Sequence, residues 1–200
     1  MSRLERALRS VASELDGLRH AWAVVGGLAV SARVEPRFTR DIDLALAVSD
    51  DAMAEALVHK LAGSGYRILA SIEQEEVGRL ATVRLEAPEE GPAGVLVDLL
   101  FASSGVEAEI VGGADVLDIL PGLRVPVARS GHLLALKLLS ESPERPQDLV
   151  DIVALLREAT PADLEEARHL AALISHRGFA RGRDLVASLQ QHLRGRPERA

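Results

Sequence analysis

The chain has 200 residues, 48% hydrophobic and 26% charged, with no cysteine; this describes one globular domain, or a domain with a small appendage, that buries roughly 70% of its unfolded surface. The missing thiols exclude a disulfide scaffold and every thiolate metal site. A net charge of -7, from 30 acidic and 23 basic residues, argues against a broad nucleic-acid-binding face, though not against a local basic groove, and 2% aromatic residues are too few for a base-stacking platform.

The N-terminus, Met1-Ser2-Arg3-Leu4-Glu5-Arg6, mixes charge signs and has no apolar signal core. Leu4, Leu8, Val11, Leu15 and Leu18 alternate steps of four and three, which predicts an amphipathic helix over 3–18. Ala21 to Val25 reads as a strand that stops at Gly26-Gly27, and Leu28 to Arg33 opens a second helix. The apolar stretch Ala21 to Ala32 is too short and too Gly-rich to span a bilayer, so a soluble, cytoplasmic chain is expected. Pro36 marks a loop over 35–40. Asp41 to Val48 is the second strand, Ser49 is the expected cap of the next helix, and Asp50 and Asp51 fall in its first turn. That helix ends at Gly63 and Gly65.

Tyr66 to Ser71 and Arg79 to Glu86 read as strands, Ala87 to Gly94 as a turn-rich connection, and Gly94 to Phe101 as an apolar strand with a single charge, Asp98. Residues 106–120 are ambiguous because Gly112-Gly113 weakens any helix there, and Leu123 to Val127 is a last strand. From Ser130 the pattern is helical: 130–139, 147–157, 161–175 and 181–193, followed by a polar tail. Thr160-Pro161-Ala162-Asp163 is a strong helix start. The expected organisation is an α/β (α+β) half, residues 1–128, with a mixed β-sheet flanked by helices, and a helical subdomain, residues 129–200, packed on it. A cleft between the two is the natural place for a site.

The informative stretch is Gly26-Gly27, thirteen residues, then Asp41-Ile42-Asp43. Side chains alternate across a strand, so Asp41 and Asp43 share one face. Their repulsion is relieved by a compact cation with a taste for oxygen, such as Mg²⁺. Asp98, alone in an apolar strand, needs either a cationic partner or a ligand role. If its strand lies beside that of Asp41, three carboxylates converge and can hold two ions. A diglycine turn before a helix N-terminus admits phosphate oxygens to backbone N–H groups. Together these features outline a metal–triphosphate site.

The pattern resembles the nucleotidyltransferase superfamily of the DNA polymerase β type, and within it the AbiEii-type toxins of type IV toxin–antitoxin systems. Arg37, Thr39, Asp41 and Asp43 match that branch's Arg-x-Ser/Thr-x-Asp-hydrophobic-Asp segment. Lys137 in His132 to Leu139, followed by Arg145 and Asp148-x-x-Asp151, matches its helical half. The similarity covers about residues 20–157.

The resemblance implies transfer of a nucleoside monophosphate from an NTP to an acceptor hydroxyl. Asp41, Asp43 and Asp98 would hold two Mg²⁺ or Mn²⁺ ions and Gly26 and Gly27 the triphosphate. Lys137 would neutralise it, while Arg37, Thr39, Arg40, Arg145, Asp148 and Asp151 complete the nucleotide site, one of the two aspartates holding Lys137 or orienting the incoming hydroxyl. By position alone Arg37 and Arg40 read equally well as solvated loop residues, and Lys137 as a snorkelling lysine. The implied acceptor is tRNA or another RNA end, and the implied partner an antitoxin. A small-molecule, antibiotic-type nucleotidyltransferase and a catalytically inactive nucleotide- or partner-binding member are the alternatives. Ser103-Ser104 has no base or phosphate context in the sequence, and the arginines at 177, 181, 183, 194 and 196 read as a solvated face, with a nucleic-acid contact as the alternative.

Overall fold

The computed structural model describes residues 2–74, 77–88 and 94–195. In chain order its elements are α1 (Arg3–Gly17), β1 (Trp22–Val25), α2 (Gly26–Arg33), β2 (Ile42–Leu46), α3 (Asp51–Gly63), β3 (Arg67–Gln74), β4 (Arg79–Glu86) and β5 (Leu96–Leu100). There follow α4 (Glu107–Gly113), β6 (Asp115–Leu120), β7 (Leu123–Val127), α5 (Ser130–Ser140), α6 (Pro146–Glu158), α7 (Pro161–His176) and α8 (Leu185–Arg194). The strands form one mixed sheet in the order β3-β4-β5-β2-β1-β7-β6. At its centre β2 runs parallel to β5 and antiparallel to β1.

Position in the sheet explains the sequence patterns. All four residues of β1 are buried, as befits a strand covered on both faces and written as an unbroken apolar run. In β4, Ala81, Val83 and Leu85 are buried while Thr82 and Arg84 take the other face. Helix α1 is capped by Ser2, whose Oγ accepts from the Glu5 N–H at 3.1 Å, and turns Leu8, Val11 and Leu15 into the core.

Three local readings are corrected. Asp50 rather than Ser49 caps α3, its carboxylate accepting from the Met53 N–H at 2.8 Å while Ser49 Oγ donates to Asp50. A carboxylate is the stronger acceptor, so it takes the cap. The stretch 106–120 divides into the short helix α4, ended at Gly112-Gly113, and the hairpin strand β6 paired with β7. The strand of Asp41 begins at Ile42, so Asp41 stands just ahead of it. Most of the expected 87–94 connection, and the polar tail beyond 195, lie outside the described residues.

In the helical half, α5 is the central element. It packs on α6, α7 and α8 and also on α2 of the α/β half. Leu133, Leu134 and Leu138 have at most 1% exposure, each contributing roughly 2 kcal/mol of burial. His132 is also buried: its Nδ1 accepts from the Arg129 N–H and its Nε2 faces Glu166 at 3.2 Å. Burial, with Arg129 and Arg33 nearby, pushes it down to about 4, so it is neutral at pH 7. Among the described residues no helix is long and apolar enough to cross a membrane.

Candidate active site

The sheet register assembles the acids. Asp43 of β2 pairs with Asp98 of β5, Asp98 with Arg84 of β4, and Arg84 with Ala70 of β3. Cross-strand partners share a face, so one row runs Ala70–Arg84–Asp98–Asp43 and ends against Val25 and Gly26 of the neighbouring strand end. Ile42 and Leu44, fully buried, lie on the opposite face.

Gly26 has φ +61°, the left-handed region, and there β1 passes into α2 without a loop. A Cβ at Gly26 would lie 1.9 Å from Asp43 Oδ2. One at Gly27 would lie 2.8 Å from Thr39 Oγ1 and 2.9 Å from Arg37 Nη2. Both glycines are therefore required by close approach, and the Gly27 N–H donates to Asp43. The Gly26→Ala variant should lose about 1–3 kcal/mol through strain and displacement of Asp43, and with it at least ~100-fold in transfer rate, since misplacement by 1 Å costs that much. Gly63→Ala, where nothing lies within 4 Å, should stay within about 0.5 kcal/mol of wild type. Urea melts and a transfer assay on both variants check this.

Burial and the neighbouring Asp98 charge push Asp43 up to about 6, against the lowering effect of Lys137 and the Gly27 N–H; Asp41 adds to the rise. Asp98 is only 8% exposed and is held by Arg84 as a bidentate pair, Nε–Oδ1 2.8 Å and Nη2–Oδ2 2.6 Å. The three expected carboxylates thus occupy one neighbourhood without forming a ready three-ligand cage. Among the described residues no three acid or histidine side chains are grouped to hold a metal, and the Asp98 oxygens are turned to Arg84.

Facing this row, Lys137 Nζ lies 2.6 Å from Asp148 Oδ1 and 2.8 Å from Asp151 Oδ2. Both aspartates are buried. Asp151 also takes two 2.7 Å bonds from Arg37 and one of 3.2 Å from Gln147. Burial alone would raise Asp151; these donors outweigh it and hold the carboxyl low. Arg145, the residue ahead of α6, comes within 3.3 Å of Asp148. Lys137 is therefore neither snorkelling nor solvated, and Arg37 is a clamp on Asp151 rather than a loop residue facing solvent. Thr39 sits against Gly27. Arg40 instead stacks over the exposed Phe38 ring at 5.4 Å; its guanidinium belongs to that pair.

Gly26, Asp43, Asp98, Arg84 and Lys137 line a cleft of about 500 Å³ between the sheet and α5, together with Ile72, Thr82, Leu100, Leu136, Ser103 and Arg181. Ser103-Ser104 does have a context: both hydroxyls and both N–H groups donate to Oε1 of the buried Glu107, at 2.8–3.0 Å. The described C-terminal arginines lie at the surface, as expected, but three of them also donate to backbone carbonyls of other elements. Arg181 donates to the Ser103 carbonyl, Arg177 to that of Gly105, and Arg183 to those of Leu139 and Glu141. Arg196 lies outside the described residues. Sequence reading missed Arg84, Glu107 and Arg181. The alternation in β4 marks Arg84 as facing away from the core, but only the strand order puts it beside Asp98.

The fold has solved relatives. An antigenic nucleotidyltransferase-like protein from Paracoccidioides brasiliensis superposes with a TM-score of 0.55 at 20% identity, covering 94% of this chain and 92% of that one. ANT(2")-Ia, solved in complex with adenylyl-2"-tobramycin, gives 0.57 at 16% identity, covering 88% and 99%. No curated protein matches the chain. The family of the nucleotidyl transferase AbiEii toxin, type IV TA system, matches across residues 6–199, which takes in the diglycine, the acids of the sheet and the α5–α6 ion network alike. The chain belongs to the AbiEii family of nucleotidyltransferases.

Proposed function

We propose that this chain transfers a nucleoside monophosphate from a Mg²⁺-bound nucleoside triphosphate to a hydroxyl of an RNA end, as a toxin opposed by an antitoxin. The observation that carries the reading is the register of Asp43 with Asp98 beside the Gly26-Gly27 bend, opposite Lys137. The donor set fits a hard divalent cation: two adjacent carboxylates, one pushed up to about 6 by burial and the other's charge, gain from a cation between them. Mg²⁺ commonly takes one or two carboxylates and completes its sphere with substrate phosphates and water.

Asp41 and Asp43 would hold one ion and Asp98 would serve a second; such ions supply Lewis acidity and alignment for an in-line displacement. Gly26 and Gly27 leave the backbone bare where the triphosphate must approach. Lys137 has three donors, two of them engaged by Asp148 and Asp151, and offers the third to a phosphate oxygen on the cleft side. The acceptor oxygen bonds to the α-phosphorus, the bond to the β-phosphate oxygen breaks, and pyrophosphate leaves with that electron pair. The acceptor proton passes to Asp98 or to water.

The lining beside Asp98 favours a phosphate-bearing acceptor. An aminated antibiotic needs carboxylates to pair with. Here the acids of the lining are Asp43 and Asp98, the latter paired with Arg84, and they are outnumbered by Arg84, Lys137, Arg145 and Arg181. A phosphate-bearing strand suits such a lining. The chain's overall acidity is no obstacle, since the basic groups are local.

The test is incubation with each labelled triphosphate, total RNA and cell extract. Label in RNA that disappears in Asp41→Ala supports the proposal. Label in small molecules would turn it to the antibiotic-type reading, and no transfer with any triphosphate to a non-catalytic nucleotide- or partner-binding role.

A further inference from the structure

We propose that Arg84 is a built-in placeholder for the second cation: it occupies Asp98 until a triphosphate arrives, then releases it. The inference rests on the metal–triphosphate reading above. Arg84 is a positioning residue here, acting through Asp98.

The geometry has three parts. First, the guanidinium fork takes both Asp98 oxygens, at 2.8 and 2.6 Å, so that each already has a cationic partner. Second, the two partners differ in freedom. The Asp98 side chain is 11% exposed and fixed in the central strands, whereas that of Arg84 is 45% exposed on β4. The guanidinium can leave without unpacking the core, because its other neighbour in the row is Ala70 and it already borders the cleft. Third, the cations nearby contact the aspartates of α6 and not Asp98: Lys137 is held by Asp148 and Asp151, and Arg145 lies against Asp148.

A divalent ion between Asp43 and Asp98 would therefore compete with Arg84 for the same lone pairs and would repel the guanidinium. Released, its planar fork lies in the cleft where phosphates are expected, and such a fork matches phosphate as well as it does carboxylate. The exchange is favourable when metal and triphosphate come together and unfavourable for metal alone. In the bare protein Arg84 thus holds Asp98 out of metal binding and couples loading of the second ion to substrate.

Mn²⁺ uptake by the full chain, followed as loss of the free-ion signal in electron paramagnetic resonance, tests this without any turnover. The set is wild type, Arg84→Lys, Arg84→Gln and the double variant Arg84→Gln/Asp98→Asn, each without nucleotide and with a non-hydrolysable triphosphate. Without nucleotide, affinity should rise from wild type through Arg84→Lys to Arg84→Gln, by at least tenfold overall, and the gain should vanish in the double variant. A residue that only braced the sheet would not raise metal affinity on removal. A flat or falling series, in proteins that still bind Mn²⁺ with the triphosphate, overturns the placeholder alone. Should Arg84→Gln fail to fold, the step from wild type to Arg84→Lys decides the same question by its direction. Absence of Mn²⁺ binding by wild type even with the triphosphate overturns the placeholder and the transferase reading together.

Discussion

Replacing Lys137 by Met is expected to destabilise the fold by about 3–5 kcal/mol, the cost of leaving a buried charge without its partner, and to abolish transfer. That is a large share of the roughly 5–15 kcal/mol that holds an ordinary domain. The two aspartates will not suffer equally. Asp151 keeps two 2.7 Å bonds from Arg37 and one from Gln147. Asp148 keeps only Arg145, whose side chain is 62% exposed, and its Oδ2 already has no hydrogen-bond partner. The stranded charge is that of Asp148. Adding Asp148→Asn to Lys137→Met should therefore recover about 1–3 kcal/mol, the usual size of coupling within one network. Adding Asp151→Asn should recover none, because it would strand Arg37 in turn. Urea melts of the single and the two double variants measure this. Equal recovery by both additions would mean that the network is not polarised as its distances indicate. Activity should stay lost in all three, since each lacks the ammonium offered to the phosphates.

What could be read in advance divides by how local the information is. Gly26-Gly27 and Asp41-Ile42-Asp43 each lie in one short segment, and strand alternation puts Asp43 on the face opposite Ile42 and Leu44, while Asp41 stands just ahead of β2 and outside that rule. The pairing of Lys137 with the Asp148-x-x-Asp151 face needed only two neighbouring helices. Asp98 required the parallel placement of β5 against β2, and Arg84 the further placement of β4 against β5. No periodicity carries that information, because it lies in strand order. Arg37 shows the same limit. Its loop position suggested phosphate or water, but its partner is Asp151, 114 residues away. Glu107 was silent because a carboxylate at a helix start is ordinarily explained by the helix dipole. Only the folded loop brings four donors onto it. The C-terminal arginines are exposed as their charge suggests; their donation to backbone carbonyls at an inter-element seam was not legible, because it depends on which elements meet there.

Asp43→Asn should make the metal-free protein more stable at pH 8 while removing transfer by at least ~10³-fold, a loss typical of a catalytic carboxylate whose charge is essential. The sign follows from linkage. Burial and Asp98 raise Asp43 to about 6, above its ordinary value of 3.8. A folded-state value above the unfolded one favours the fold at low pH, and that contribution is lost as pH rises through about 6. At pH 8 the ionised carboxylate therefore burdens the bare fold by about 2–3 kcal/mol. The amide removes the charge and keeps the shape. The variant's advantage should be about 1–3 kcal/mol at pH 8 and should shrink towards zero at about pH 3, where wild-type Asp43 is largely protonated in both states. Thermal melts in chelator at the two pH values give the comparison. With Mg²⁺ and triphosphate added, the order should reverse, because ligand binding stabilises only the chain that can hold the ion. A variant less stable than wild type at pH 8 in chelator would show that Asp43 supports the bare fold. The expected pattern would instead mark it as a charge kept, against stability, for the substrate complex.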